Sequence, residues 1–238
     1  MRPVNVIWHD VECGGYEADL KLWEELADQF LGPVLDLGCG TGRVGLHLAR
    51  RGHLVTGIDR DGAFVAAFNE GAGELPASAE PGDVRKLDLK EEFGLVLAPM
   101  QLVQLLDEDE RMECLRCVTE HLRPGGLAAF AIVEEMPGAL DSSPPLPDVR
   151  EIEGWVYSSL PLEAAVDDGE IVVRRLRQIV SPDGELSDEV DEVRLRMLSA
   201  DRLEREVEGA GLRPAGRHAI PETDAHVGST VVLLEREA

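Results

Sequence analysis

The stretch Val34-Leu35-Asp36-Leu37-Gly38-Cys39-Gly40-Thr41-Gly42-Arg43 decides the fold. A short apolar run, sized for a buried strand, passes into a loop with glycine at alternate positions. Residues Gly42 to Arg51, closed by Gly52, then read as a helix. Glycines in such a loop tolerate positive φ and let the backbone come within contact distance of a ligand. The helix N-terminus adds unpaired amides.

The same alternation continues outward. A second strand is expected at Leu54 to Ile58, then a helix from Asp61, where the carboxylate can cap free amides, through Asn69. A third strand is expected at Val84 to Leu87 and a fourth at Leu95 to Ala98. Asp107 to Leu122 reads as a helix, acidic in its first turn, with His121 and Arg123 at its end. Pro124-Gly125-Gly126 stops it before a fifth strand at Leu127 to Val133. Strands alternating with helices predict an α/β fold with a parallel sheet.

Beyond this core the pattern changes. Met136 to Pro147 is rich in proline and reads as a loop. Period-two segments follow at Trp155 to Pro161, Ile171 to Val180 and Val190 to Leu198, with the turn Ser181-Pro182-Asp183-Gly184 between two of them. Ser199 to Ala210 is a helix capped by Ser199 and stopped by Gly211. Leu212 to Ala219 and Ser229 to Glu235 close the first sheet. The chain therefore divides into an N-terminal cap-helix region (1–33), a core (34–133), an inserted loop and antiparallel sheet (134–198), and the last helix and closing strands of the core (199–238).

Of 238 residues, 23 are Lys or Arg and 47 are Asp or Glu, a net charge of −24 that argues against a nucleic-acid partner. No apolar run reaches the roughly 18 residues of a membrane span, and His9, Asp10 and Glu12 stand where a signal peptide needs apolar residues. A cytoplasmic protein without membrane attachment is expected. Four cysteines are too few for a disulfide framework.

The glycine spacing is G-x-G-x-G, not the G-x-G-x-x-G of dinucleotide sites. Asp59 ends the second strand, 19 residues after Gly40, where an acid can accept both hydroxyls of a ribose. A nucleoside-containing ligand follows. On these residues the chain resembles the class I S-adenosylmethionine-dependent methyltransferases. Asp36 to Gly42 matches their first motif, Thr56-Gly57-Ile58-Asp59-Arg60 the second, Gly82-Asp83-Val84-Arg85 the adenine-contacting segment, and Leu122-Arg123-Pro124-Gly125-Gly126 the turn before the fifth strand.

The resemblance implies a Rossmann-like sheet of seven mostly parallel strands, the last antiparallel, with the inserted antiparallel sheet as a lid after the fifth strand. It implies S-adenosyl-L-methionine as cofactor. Gly38, Cys39, Gly40 and Gly42 would line its methionine moiety, Asp36 would orient that loop, and Asp59 would hold the ribose with Arg60 flanking the adenine. Asp83 and the Val84 amide would meet the base. Ala98, Pro99 and Met100 would lie under the sulfonium, and Tyr16 would cover the methionine end.

Methyl transfer is an in-line displacement with a neutral leaving group, so positioning the acceptor about 3 Å from the carbon supplies most of the acceleration. The catalytic candidates are Gln101, Gln104, Glu134, Glu135 and His9. The amides can orient an acceptor but take no proton, whereas the carboxylates can bind an amine or act as bases. His9 sits in an N-terminus expected to be flexible. His121 is read as a solvated capping residue, Cys114 and Cys117 as a C-x-x-C without a metal role, and Arg174, Arg175 and Arg177 as ion-paired or solvated. The acceptor is a small molecule bound by a monomer or homodimer. The rival readings are a non-catalytic cofactor-binding protein whose inserted sheet is a dimer interface, and a nicotinamide dehydrogenase.

Overall fold

The computed structural model describes residues 2–134, 146–223 and 226–237. The first elements are α1 (Val4–Cys13), α2 (Leu20–Gln29), β1 (Val34–Leu37), α3 (Gly45–Arg50), β2 (Val55–Asp59) and α4 (Gly62–Ala72). Next come β3 (Ala77–Pro81), β4 (Phe93–Ala98), a 3-10 turn at Leu102–Gln104, α5 (Glu108–His121) and β5 (Leu122–Ile132). The inserted strands are β6 (Asp148–Ile152), β7 (Trp155–Asp167), β8 (Glu170–Val180) and β9 (Leu186–Arg196), and α6 (Ala200–Glu206), β10 (Leu212–Ile220) and β11 (Ser229–Arg236) finish the chain.

One sheet runs β10-β11-β5-β4-β1-β2-β3, with β11 antiparallel to both its neighbours and every other pairing parallel. Each residue of β1 and β4 is buried, as strands covered on both faces must be. Cys114, Leu115, Val118, Leu203 and Val207 from α5, α6 and the turn after it pack one face. Trp23, Leu26, Leu46, Leu48 and Phe68 from α2, α3 and α4 pack the other. Strand order reverses between β1 and β4, and in open α/β sheets ligands bind beyond the carboxyl ends of the strands at such a point.

The third strand lies at Ala77–Pro81, not at Val84–Leu87, and pairs in parallel with β2 through Val55↔Ala77 to Asp59↔Pro81. An edge strand bonded on one side needs no run of branched apolar residues, and Pro81 is tolerated there. Val84 is instead buried at a turn. The shift moves Asp83 from before a strand to two residues past one, the same end of the sheet as Gly38 and Asp59.

The second sheet is the meander β6-β7-β8-β9. The sequence pattern gave three of its strands and missed β6, whose alternation is largely polar. Against it lies α1, so the N-terminus is an ordered helix rather than a flexible segment. Ile7, Trp8 and Val11 pack on Tyr157, with Trp8 edge-on to the Tyr157 ring at 5.5 Å. Glu12 receives two bonds from Arg177 at 2.7 and 2.8 Å and one from Ser159 at 2.7 Å. Arg174 is paired with Glu163 and Glu192, and Arg175 with Asp148.

His121 is buried, not solvated. It contacts the Cys117 carbonyl through Nδ1 at 2.8 Å and accepts the Leu89 amide on Nε2 at 3.1 Å, pinning the β3–β4 connection to α5. No helix among the described residues is long and apolar enough to cross a membrane.

Candidate cofactor site

The loop after β1 is built as its glycines suggested. Gly38, Gly40 and Gly42 take φ of 65°, 53° and 95°. A Cβ on Gly42 would stand 2.6 Å from Leu46, and one on Gly40 2.3 Å from His9 Nε2. The Gly38 and Cys39 amides donate back to the Ile58 carbonyl, which locks the loop to the end of β2. Cys39 is buried against Gly57, and desolvation pushes its thiol far above the usual range, which makes it a packing group rather than a nucleophile.

Asp36 lies beneath this loop, 1% exposed. It takes a backbone bond from Gly45, and its Oδ1 has no hydrogen-bond partner. Desolvation raises its carboxyl to about 7, even against the opposing charge of Arg43. A buried carboxylate oxygen without a partner beside a glycine loop suits a cationic ligand group.

Asp59 accepts the Gly40 amide on Oδ2 at 3.0 Å and the Asp61 amide on Oδ1 at 2.9 Å. One lone pair remains on each oxygen for a ligand diol. Asp61 caps α4 through Ala63. Arg60 is exposed beside it. Asp83 is gripped by both arms of Arg85, which hold its carboxyl down at about 2, and Arg85 also bonds Glu110.

At the end of β4, Ala98 and Pro99 are buried, and Met100 and Gln101 take left-handed φ of 58° and 61°. Two consecutive non-glycine residues in this region are costly, as backbone at functional sites often is. The following turn presses Leu102 onto Gly38.

The catalytic candidates separate. The Gln104 amide is spent on backbone: Nε2 donates to Val133 and Arg196 carbonyls at 3.0 Å, and Oε1 accepts from Val133 at 2.7 Å. Glu134 likewise accepts from the Ala200 amide and the Thr230 hydroxyl. Among the described residues, the side-chain amide of Gln101 has no partner. Glu135 lies outside the described residues. His9 and Asp10 meet Thr41 of the loop.

Tyr16 is buried over the start of α3. Arg43 stands 5.0 Å from its ring centroid, bonds its carbonyl and forks onto Asp19, which also accepts from Trp23. The Tyr16 ring also meets the His226 ring, at 4.7 Å between centroids. His226 was not singled out from the sequence; its only signal was a histidine in the polar loop between the closing strands. No group of three His, Cys, Asp or Glu among the described residues is arranged to hold a metal.

Residues 34–126 match the family described as a methyltransferase domain. The core is thus similar in sequence to a methyltransferase domain. The chain is 33% identical over 96 residues to a cypemycin N-terminal methyltransferase of Streptomyces sp., covering 40% of this chain and 39% of that one. It is 36% identical over 100 residues to a trans-aconitate 2-methyltransferase of Deinococcus radiodurans, covering 42% and 37%. The match thus spans about two fifths of these curated relatives. The fold of the S-adenosylmethionine-bound amino pentose methyltransferase CalS10 from Micromonospora echinaspora superimposes over 98% of this chain and 97% of that one, at a TM-score of 0.73 and 18% identity. The fold shared with that structure therefore extends through the inserted sheet.

Proposed function

We propose that the protein transfers a methyl group from S-adenosylmethionine to nitrogen or oxygen of a small-molecule acceptor. The observation that carries this reading is the unpartnered Asp36 oxygen beneath a left-handed glycine loop, with the half-satisfied Asp59 carboxylate across it. The cofactor, when bound, supplies an electrophilic methyl carbon on a cationic sulfur. Asp36 would face the ammonium of its methionine end, Asp59 would take ribose hydroxyls, and Asp83 with Val84 would border the base. Pro99 and Met100 wall the reacting end, where Gln101 offers an uncommitted amide to orient the acceptor. Because the leaving group would be neutral, the residues here would have to hold the acceptor in line and would not have to stabilise departing negative charge.

A small acceptor is supported by the acidic surface, which repels a polyanion. The relatives' names include both an amine and a carboxylic acid, so nitrogen and oxygen are both retained. Calorimetry with S-adenosylhomocysteine tests the site. We expect binding by the parent and a loss of at least tenfold in Asp59→Ala; equal affinity in the two would sink the reading. A metabolite screen for S-adenosylhomocysteine formation then tests catalysis.

The second reading, an inserted sheet that mediates dimerisation, is favoured by one observation. Leu160, Leu176 and Val190 are cross-strand neighbours on the face away from α1, and Val190 is 58% exposed. Light scattering on the parent and on Val190→Asp decides it, and a dimer is compatible with methyl transfer.

A further inference from the structure

Resting on the cofactor reading above, we propose that His9 belongs to the cofactor site, where its bare Nε2 accepts a hydrogen bond from a ribose hydroxyl beside Asp59. The assignment begins with counting protons. Thr41 Oγ1 stands 2.6 Å from Asp10 Oδ1 and 3.2 Å from His9 Nδ1. Two oxygens at 2.6 Å need a proton between them, and an ionised carboxylate has none to give, so the single hydroxyl proton of Thr41 goes to Asp10. Thr41 can then only accept from His9. The imidazole proton is on Nδ1, and Nε2 of the neutral ring is an acceptor.

The position of Nε2 follows from Gly40. A Cβ on that residue would come 2.3 Å from Nε2, and the ring is held from the side by Phe64, at 4.9 Å between centroids. The Gly40 amide donates to Asp59. Nε2 and the Asp59 carboxylate therefore flank the same glycine, and Nε2 has no hydrogen-bond partner among the described residues. Each Asp59 oxygen already accepts one backbone amide. A vicinal diol brings two donors and several lone pairs, and a neutral acceptor next to a half-spent carboxylate completes its set. Desolvation lowers the His9 pKa and favours the neutral ring against Asp10, Asp59 and Glu12, while Arg43 acts in the same direction as burial.

His9 is thus a binding group for the cofactor and not a base for the acceptor. The sequence could not separate these roles, because Thr41 and Gly40, which fix its tautomer and its aim, lie more than 30 positions away.

The test is a cycle between protein and ligand, read by calorimetry. His9→Asn keeps a donor where Nδ1 stands and removes Nε2, and it is compared with the parent for S-adenosylhomocysteine and its 2′-deoxy and 3′-deoxy analogues. We expect His9→Asn to bind S-adenosylhomocysteine about tenfold more weakly. We expect it to lose little or nothing further on one of the two deoxy analogues. An equal loss on all three ligands, or no loss on any, overturns the proposal. If the parent binds none of them, the cofactor reading itself has failed, which is a distinct result. Thermal unfolding confirms that the variant is folded, and His9→Phe, which keeps the packing on Phe64 without either nitrogen, must reproduce the loss.

Discussion

Asp36 accepts the amide of Gly45, and its other oxygen meets no partner. The fold holds this carboxyl near 7, against about 3.9 in an unfolded chain. The native state therefore keeps its proton longer than the unfolded state. The resulting stability is fully present below pH 4 or so and is lost as pH rises through 7. Asp36→Asn, which keeps the shape and removes the charge, should melt higher than the parent at pH 8 by on the order of 10 °C, the rise from the ordinary carboxyl value to about 7 being worth about 4 kcal/mol at about 2–4 °C per kcal/mol. The gap should narrow at pH 5 and close near pH 4. The same variant should bind S-adenosylhomocysteine about tenfold more weakly or worse. A variant less stable than the parent at pH 8 would contradict the assignment.

Glu12 behaves in the opposite sense. Burial alone would raise its carboxyl, but Arg177, Ser159 and Arg175 outweigh that and hold it below the usual range. Its contribution is present above the ordinary carboxylate range and is lost as pH falls through the depressed value. Hydrogen exchange in β7 and β8 should accelerate in acid before exchange in β1 and β4 does. Glu12→Gln should show that faster exchange already at pH 7.

Gln104 is a structural tie between the β4 turn, the end of β5 and the exit of β9. Gln104→Ala strands the Val133 amide and two carbonyls and should cost roughly 2–4 kcal/mol in urea unfolding. A cost below about 0.5 kcal/mol would mean that water replaces the side chain.

Arg111 is 2% exposed and forks onto Glu206 at 2.6 and 2.8 Å while also donating to the Leu106 carbonyl. Arg111→Ala leaves Glu206 with Arg202 as its remaining ionic partner in the α5–α6 interface and should destabilise by about 2–3 kcal/mol. Arg111→Met combined with Glu206→Leu should recover most of that loss. Chemical denaturation of the three proteins checks it.

What the sequence disclosed was local. The strand, loop and helix at 34–50 were legible because glycine spacing, apolar run and following helix lie within one short window. Asp61 and Ser199 were legible as caps because a cap acts on residues two or three positions on. Ala77–Pro81 was hidden because an edge strand can be small and polar. The commitments of Gln104 and Glu134 were hidden because their partners stand 29 to 96 positions away. His121 was misread for a similar reason: the amide that buries it is 32 residues upstream. Periodicity says which residue types can do chemistry, while distant backbone decides which are free to do it.

The attachment of α1 to the inserted sheet also bears on the order in which the molecule forms. Glu12 and Arg177 are separated by 165 positions, whereas β1, β2 and β4 find one another within the first hundred residues. Contacts of such long sequence separation close late, because the loop entropy is lost before they reward it. A nascent chain can thus complete its glycine loop well before Trp8 and Glu12 have a surface to meet. The emerging protein would pass through a stage with the glycine loop formed and α1 not yet seated on the inserted sheet.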